Sequence, residues 1–169
     1  MRIAIVDDLA DERVLLRQRL EHQLARRNVQ ADLLEYESGE AFLTAAQDEP
    51  FTVAFLDIYM AGANGIETAR ALRQHNTDCL LIFTTTSTDH ALEGFQVRAM
   101  QYLVKPFTED DIAQLMDEIF ARLPQPDKYM ALKTSEGELR LAYKNILYAE
   151  HFAHVIYIHT TAGKTLATR

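Results

Sequence analysis

Two stretches, TVAFLD at 52–57 and CLLIFTT at 79–85, are apolar without interruption. A strand of that kind has to be covered on both faces, which an open antiparallel sheet with one wet side does not provide. The neighbouring segments supply the cover. RIAIV (2–6), ADLLEYE (31–37) and MQYLVK (100–105) read as further strands. Between them lie a charged segment over 10–27 with Leu16, Leu20 and Leu24 at helical spacing, SGEAFLTAAQD (38–48) with Ser38 as N-cap, and a face of Ile66, Ala69 and Leu72 after the turn MAGANG. TDHALEGF (88–95) reads as a short helix. After Pro106, Ile112, Leu115, Met116, Ile119, Phe120 and Leu123 form one apolar stripe of 3.6 period, with Thr108 as N-cap. Strand and helix alternate five times over residues 1–122, the pattern of a parallel sheet with helices on both faces.

The pattern changes after RLPQPDKY (122–129), whose two prolines end the last helix. Residues 123–128 are the expected linker. From 129 to 169 the apolar residues alternate and turn signals recur at SEGE and TAGK, so short antiparallel strands are expected. In HVIYIHT, Val155, Tyr157 and His159 share one face and Ile156 and Ile158 the other. The charge is divided in the same place. The formal net charge of -8 splits into 11 Lys+Arg against 21 Asp+Glu over 1–125, and 6 against 4 over 126–169. A mildly basic tail is compatible with a nucleic-acid partner.

The single cysteine, Cys79, allows no intrachain disulfide and reads as a buried hydrophobe. No apolar run reaches the ~18 residues of a membrane span, and the start MRIAIVDD turns acidic too early for a signal peptide, so a cytoplasmic protein is expected.

In a parallel sheet of this kind, ligands bind beyond the carboxyl ends of the strands. Those ends carry Asp7-Asp8, Asp57, Thr84-Thr85-Thr86 and Lys105-Pro106. A strand-end Asp alone is a turn or cap residue about four times in five. A lone strand-end lysine is usually a solvated charge. Here, however, each group falls at the same end of a different strand. Three carboxylates in one cleft need more counter-charge than one lysine supplies, and a hard divalent cation such as Mg2+ prefers such oxygen ligands. An exposed carboxylate beside a metal is in turn a plausible nucleophile toward phosphorus. GANG carries no Walker lysine, so nucleotide cradling is not indicated.

The motifs IVDD, FLDIYMAGANGIE, IFTTTSTDHALEGF and AMQYLVKPF, in this order, resemble the receiver domain of bacterial two-component response regulators over residues 1–122. The resemblance implies a flavodoxin-like, doubly wound five-stranded parallel sheet of order 2-1-3-4-5. It implies Asp57 as the phospho-acceptor, charged by a sensor histidine kinase. Asp8 would be a direct Mg2+ ligand, Asp7 would help mainly through water, and Asp57 and the Tyr59 carbonyl would complete the set. Thr85 would be the switch hydroxyl, Lys105 the phosphate-binding lysine, with a cis bond to Pro106, and Tyr102 the aromatic switch. Two positions depart from the pattern. Ala61 stands where proline is usual, which suggests a looser loop, and Thr86 stands where Ala or Gly is common, bordering the phosphoryl group.

KNILYAEHFAHVIYIHTTAGK resembles the opening of a LytTR-type DNA-binding domain, with His154 near a DNA-contacting position. The resemblance implies a partial all-β module over 129–169, shorter than such domains usually run. Phosphorylation would remodel the face around Phe95, Val97 and Met100, favour a homodimer and bring paired output domains to DNA. A rival reading is a phosphorylation-independent interaction module, or a shortened regulator that sequesters full-length partners. An enzyme acting on external phosphorylated molecules is disfavoured, because LDIYMAG lacks the second Asp of a D-x-D signature.

Overall fold

The computed structural model describes residues 1–169 apart from 63, 87–94, 124–128, 135–136, 154, 164 and 169. Residues 88–94 of the helix expected over 88–95, the linker beyond Leu123 and the expected DNA contact His154 lie outside the described residues. The chain divides into two compact units, Met1–Arg122 and Leu123–Arg169.

The first unit contains β1 (Arg2–Val6), α1 (Ala10–Arg26), β2 (Asp32–Tyr36), α2 (Gly39–Asp48), β3 (Val53–Asp57), α3 (Gly65–Arg73), β4 (Leu80–Thr85), β5 (Gln101–Val104) and α4 (Glu109–Arg122). The five strands form one sheet in the order β2-β1-β3-β4-β5, with every pairing parallel. The parallel sheet is what the alternation implies, and its flavodoxin-like order is what the resemblance implies.

Burial follows the same logic. All five residues of β3 are buried, as the unbroken apolar run requires. Alternate side chains along it face opposite sides of the sheet. Ala54 and Leu56 join Phe42, Ile66, Ala69 and Leu72 in a core shared with α2 and α3. On α1, Leu16, Leu20 and Leu24 are buried, and on α4 Ile112, Leu115, Met116 and Ile119 are, while Phe120 is only half-buried.

The helix starts use local chemistry. Ser38 accepts a hydrogen bond from the Ala41 N–H, and Asn64 and Glu67 form a reciprocal capping box. Thr108 and Asp111 do the same at α4, the Asp111 N–H donating to Thr108 Oγ1 and the Thr108 N–H to Asp111 Oδ2. Gly65 is required by close approach, because a Cβ there would collide with the Asp57 carbonyl. The N-terminus of α3 therefore lies directly against the end of β3.

The second unit is built of antiparallel strands: β6 (Tyr129–Thr134) with β7 (Gly137–Ala142), and, after a single 3-10 turn at Tyr143–Asn145, β8 (Ile146–Phe152), β9 (Val155–Thr160) and β10 (Thr165–Thr168) in the order β10-β9-β8. Leu132, Ala142, Ile158 and Thr160 are its buried residues among those described.

Candidate functional site

The sheet register gathers the sequence-predicted residues. Val6 pairs with Leu56, Asp57 with Thr84, and Thr85 with Val104. Asp7, Asp57, Thr85 and Lys105 are therefore the last residues of, or the first beyond, four neighbouring strands. Ligand oxygens of Asp7, Asp8 and Asp57 lie within 4.8 Å of one another. Lys105 Nζ donates to Asp7 Oδ2 at 2.6 Å and to Asp57 Oδ1 at 3.1 Å.

Asp57 is not the exposed carboxylate that the sequence suggests. It retains 5% of its accessible surface, and Asp7 is equally buried, whereas Asp8 is exposed. The cause is the central position of β3 together with the close approach of α3. Burial pushes the Asp57 carboxyl from 3.8 up to about 6. The Lys105 ammonium opposes that rise, and the charges of Asp7 and Asp8 add to it. Burial works against the Lys105 ammonium as well, but its bonds to Asp7 and Asp57 outweigh that cost and hold it above the ordinary lysine range.

Main-chain groups hold the carboxylates in place. Asp7 Oδ1 accepts from the Leu9 N–H at 2.9 Å, and the Asp7 carbonyl accepts from Arg13 at 2.6 Å. Asp8 Oδ2 accepts from the Ala61 N–H at 3.0 Å. A proline at 61 has no N–H to give. The departure at Ala61 therefore adds a tie between the loop after β3 and the end of β1 that a proline could not make. The Gly65 N–H bonds the Ile58 carbonyl and closes the same loop from its other end.

Thr85 is buried at the end of β4, and its carbonyl accepts the Lys105 N–H at 2.7 Å, tying the predicted switch hydroxyl to the lysine through the backbone. Thr86 is exposed in the bend that follows. Tyr102 is half-buried with its ring 5.4 Å from that of Phe83, its partner across β4 and β5. Tyr59 is exposed beside the acidic cluster. The Lys105–Pro106 peptide is cis. One charged group near the site was not singled out from the sequence. Glu12, in the first turn of α1, places Oε2 3.8 Å from Lys105 Nζ. Its signal is faint, because a glutamate on a charged helix reads as a solvated one.

Residues 3–117 match the response regulator receiver domain. The chain belongs to that family. The sensory transduction protein LytT of Oceanobacillus iheyensis is 29% identical over 178 residues, covering 100% of this chain and 71% of that protein. The positive alginate biosynthesis regulatory protein of Pseudomonas aeruginosa is 36% identical over 118 residues, 69% of this chain and 46% of that protein. Among solved structures, the response regulator protein TrrA from Thermotoga maritima in complex with Mg(2+)-BeF matches with a TM-score of 0.60 and 27% identity, over 70% of this chain and 97% of that one. The matched region of this receiver contains the whole acidic cleft. Among the described residues, no helix is long and apolar enough to cross a membrane.

Proposed function

We propose that this chain is the response regulator of a two-component system and that Asp57 accepts a phosphoryl group from a sensor histidine kinase in a Mg2+-dependent reaction. The observation that carries the reading is the convergence of Asp7, Asp8 and Asp57 within 4.8 Å of one another, with Lys105 bonded to Asp7 and Asp57, at the carboxyl ends of a family-typical sheet. The donor set fits the ion: it is all oxygen, with more negative charge than Lys105 neutralises. Asp7, Asp8, Asp57 and the Tyr59 carbonyl would hold Mg2+, whose charge would offset the negative charge on the phosphoryl oxygens.

The chain's own groups divide the remaining work. An Asp57 carboxylate oxygen forms the new bond to phosphorus while the phosphorus–nitrogen bond of a phosphohistidine breaks, its electron pair leaving with the imidazole. Lys105 exchanges a carboxylate for a phosphoryl oxygen, and the Thr85 hydroxyl donates to another. The product is an acyl phosphate carrying about two negative charges. No external substrate is turned over. Movement of Thr85 toward that charge frees space beside Tyr102, and the face around Phe95, Val97 and Met100 changes toward homodimer formation. Residues 129–169 then serve DNA-binding output, as their likeness to the start of a LytTR-type module suggests, in the cytoplasm. The retained set of Asp8, Asp57, Thr85 and Lys105 favours this switch over a phosphorylation-independent interaction module.

The test is labelling from radiolabelled acetyl phosphate with Mg2+. The parent chain is expected to take up label, and Asp57→Ala to take up none. Equal labelling of the two removes Asp57 as the acceptor.

A further inference from the structure

Lys105 faces a third carboxylate that the proposed chemistry does not use. Glu12 Oε2 stands 3.8 Å from Nζ, beyond Asp7 at 2.6 Å and Asp57 at 3.1 Å. The Lys105 side chain is 12% exposed and that of Glu12 35%, so the pair lies where water is thinned but not excluded. The fold sets this approach. Buried Leu16, one turn further on, fixes the rotation of α1, and the Leu9 carbonyl accepts the Arg13 N–H at the helix start. A carboxylate is also favoured in the first turn of a helix.

An ammonium has three N–H donors. Two are engaged by Asp7 and Asp57. The acceptor reading of Asp57, on which this inference rests, requires both carboxylates to turn toward a cation, which weakens their hold on Lys105. Among the described residues, Glu12 is then the one carboxylate outside that ligand set within ion-pair reach of Nζ. We propose that Glu12 is a positioning residue that draws Lys105 off Asp57 and holds its ammonium toward α1, leaving Asp57 free to attack and one N–H aimed at the phosphoryl oxygen. A negative charge at Glu12 also repels an incoming phosphoryl donor, but its partial exposure screens that longer-range effect more than the short ion pair. The Asp57–Lys105 bond, by contrast, has to break before attack.

The experiment uses the full chain with acetyl phosphate as donor at fixed Mg2+. Glu12→Gln is expected to slow uptake about 3–5-fold, the scale of one partly exposed ion pair. In a Lys105→Ala background the same substitution is expected to leave the residual rate unchanged, because the effect runs through the lysine. A second measurement does not depend on turnover. With lysine labelled at 13Cε, the Lys105 side-chain order parameter in the Mg2+–beryllofluoride form is expected to fall in Glu12→Gln. Equal rates, faster uptake in Glu12→Gln, or the same slowing without Lys105 overturns the proposal. A parent that takes up no label defeats the acceptor reading and this inference with it, whereas an unchanged Lys105 signal in a labelled parent defeats the positioning role alone.

Discussion

Strands β3 and β8 are both rich in apolar residues, VAFLD against ILYAEHF, yet the structure treats them oppositely. Every residue of β3 is buried. In β8 Ile146 is half-buried and the other six are exposed. The difference is architectural. β3 is central in a five-stranded sheet within a unit that has helices to lay over both faces, whereas β8 is the edge of a three-stranded sheet in a unit with no α-helix among its described residues. Apolar content decides what can be buried, and the number of layers decides what is. The functional consequence is that the receiver unit can bury the carboxylates of Asp7 and Asp57 at its strand ends. The tail instead presents Leu147, Tyr148, Phe152 and Ile156 to solvent.

The strongest test of this contrast is a cut in the buried strand. Phe55 is fully buried in β3, and Phe55→Ala is expected to destabilise the receiver unit by about 3–5 kcal/mol. Urea unfolding followed by helical circular dichroism reads this unit selectively, since all four described α-helices lie in it. A loss below about 1 kcal/mol breaks the comparison, because it shows β3 to be no better packed than an exposed strand.

A smaller effect tests the burial of Asp57. The Asp57 carboxyl sits at about 6 in the folded chain against 3.8 for its ordinary value. Between those values the folded state binds more protons than the unfolded one, so without Mg2+ stability falls as pH rises through that window, and the loss is complete above it. Asp57→Asn stays neutral throughout. In chelator the two chains are expected to be nearly equally stable near pH 4, and the variant more stable at pH 7 by about 2–3 kcal/mol. Mg2+ is expected to narrow the gap at pH 7 by stabilising only the parent. Parallel denaturation midpoints across pH would show that Asp57 is well solvated.

These outcomes bear on what the sequence could carry. The strand ends were legible because a parallel sheet puts every carboxyl terminus on one edge, so Asp7, Asp8, Asp57, Lys105 and the run Thr84-Thr85-Thr86 could be assembled from order alone, while the resemblance singled out Thr85. The burial of Asp57 was not, since it depends on how closely Gly65 lets α3 approach. Glu12 was hidden for a related reason: whether a charge in the first turn of α1 meets Lys105 or water depends on the rotation of that helix, which Leu16, Leu20 and Leu24 settle only once the helix is packed. Gln23 is another such case. It lies on the charged helix yet is fully buried, bonding Glu109 at 2.6 Å across to α4. In the tail, alternation revealed strands but not that β6 and β7 pair apart from β8, β9 and β10, because pairing partners leave no mark on a period of two.

The smallest expected effect lies at the far side of the comparison. Phe152 ends β8 with 72% of its surface exposed. If that face is as open as it stands, Phe152→Ser removes little buried area, and stability is expected to change by no more than about 0.5 kcal/mol. An apolar edge strand is also a ready surface for pairing with another chain. The substitution is therefore paired with sedimentation of parent and variant over a range of concentrations. Small changes in both measurements leave β8 a solvent-facing edge. A loss above about 1 kcal/mol, falling away on dilution of the parent, means that a second copy covers the strand in solution. In that event, the contrast with β3 is between burial within one chain and burial between two.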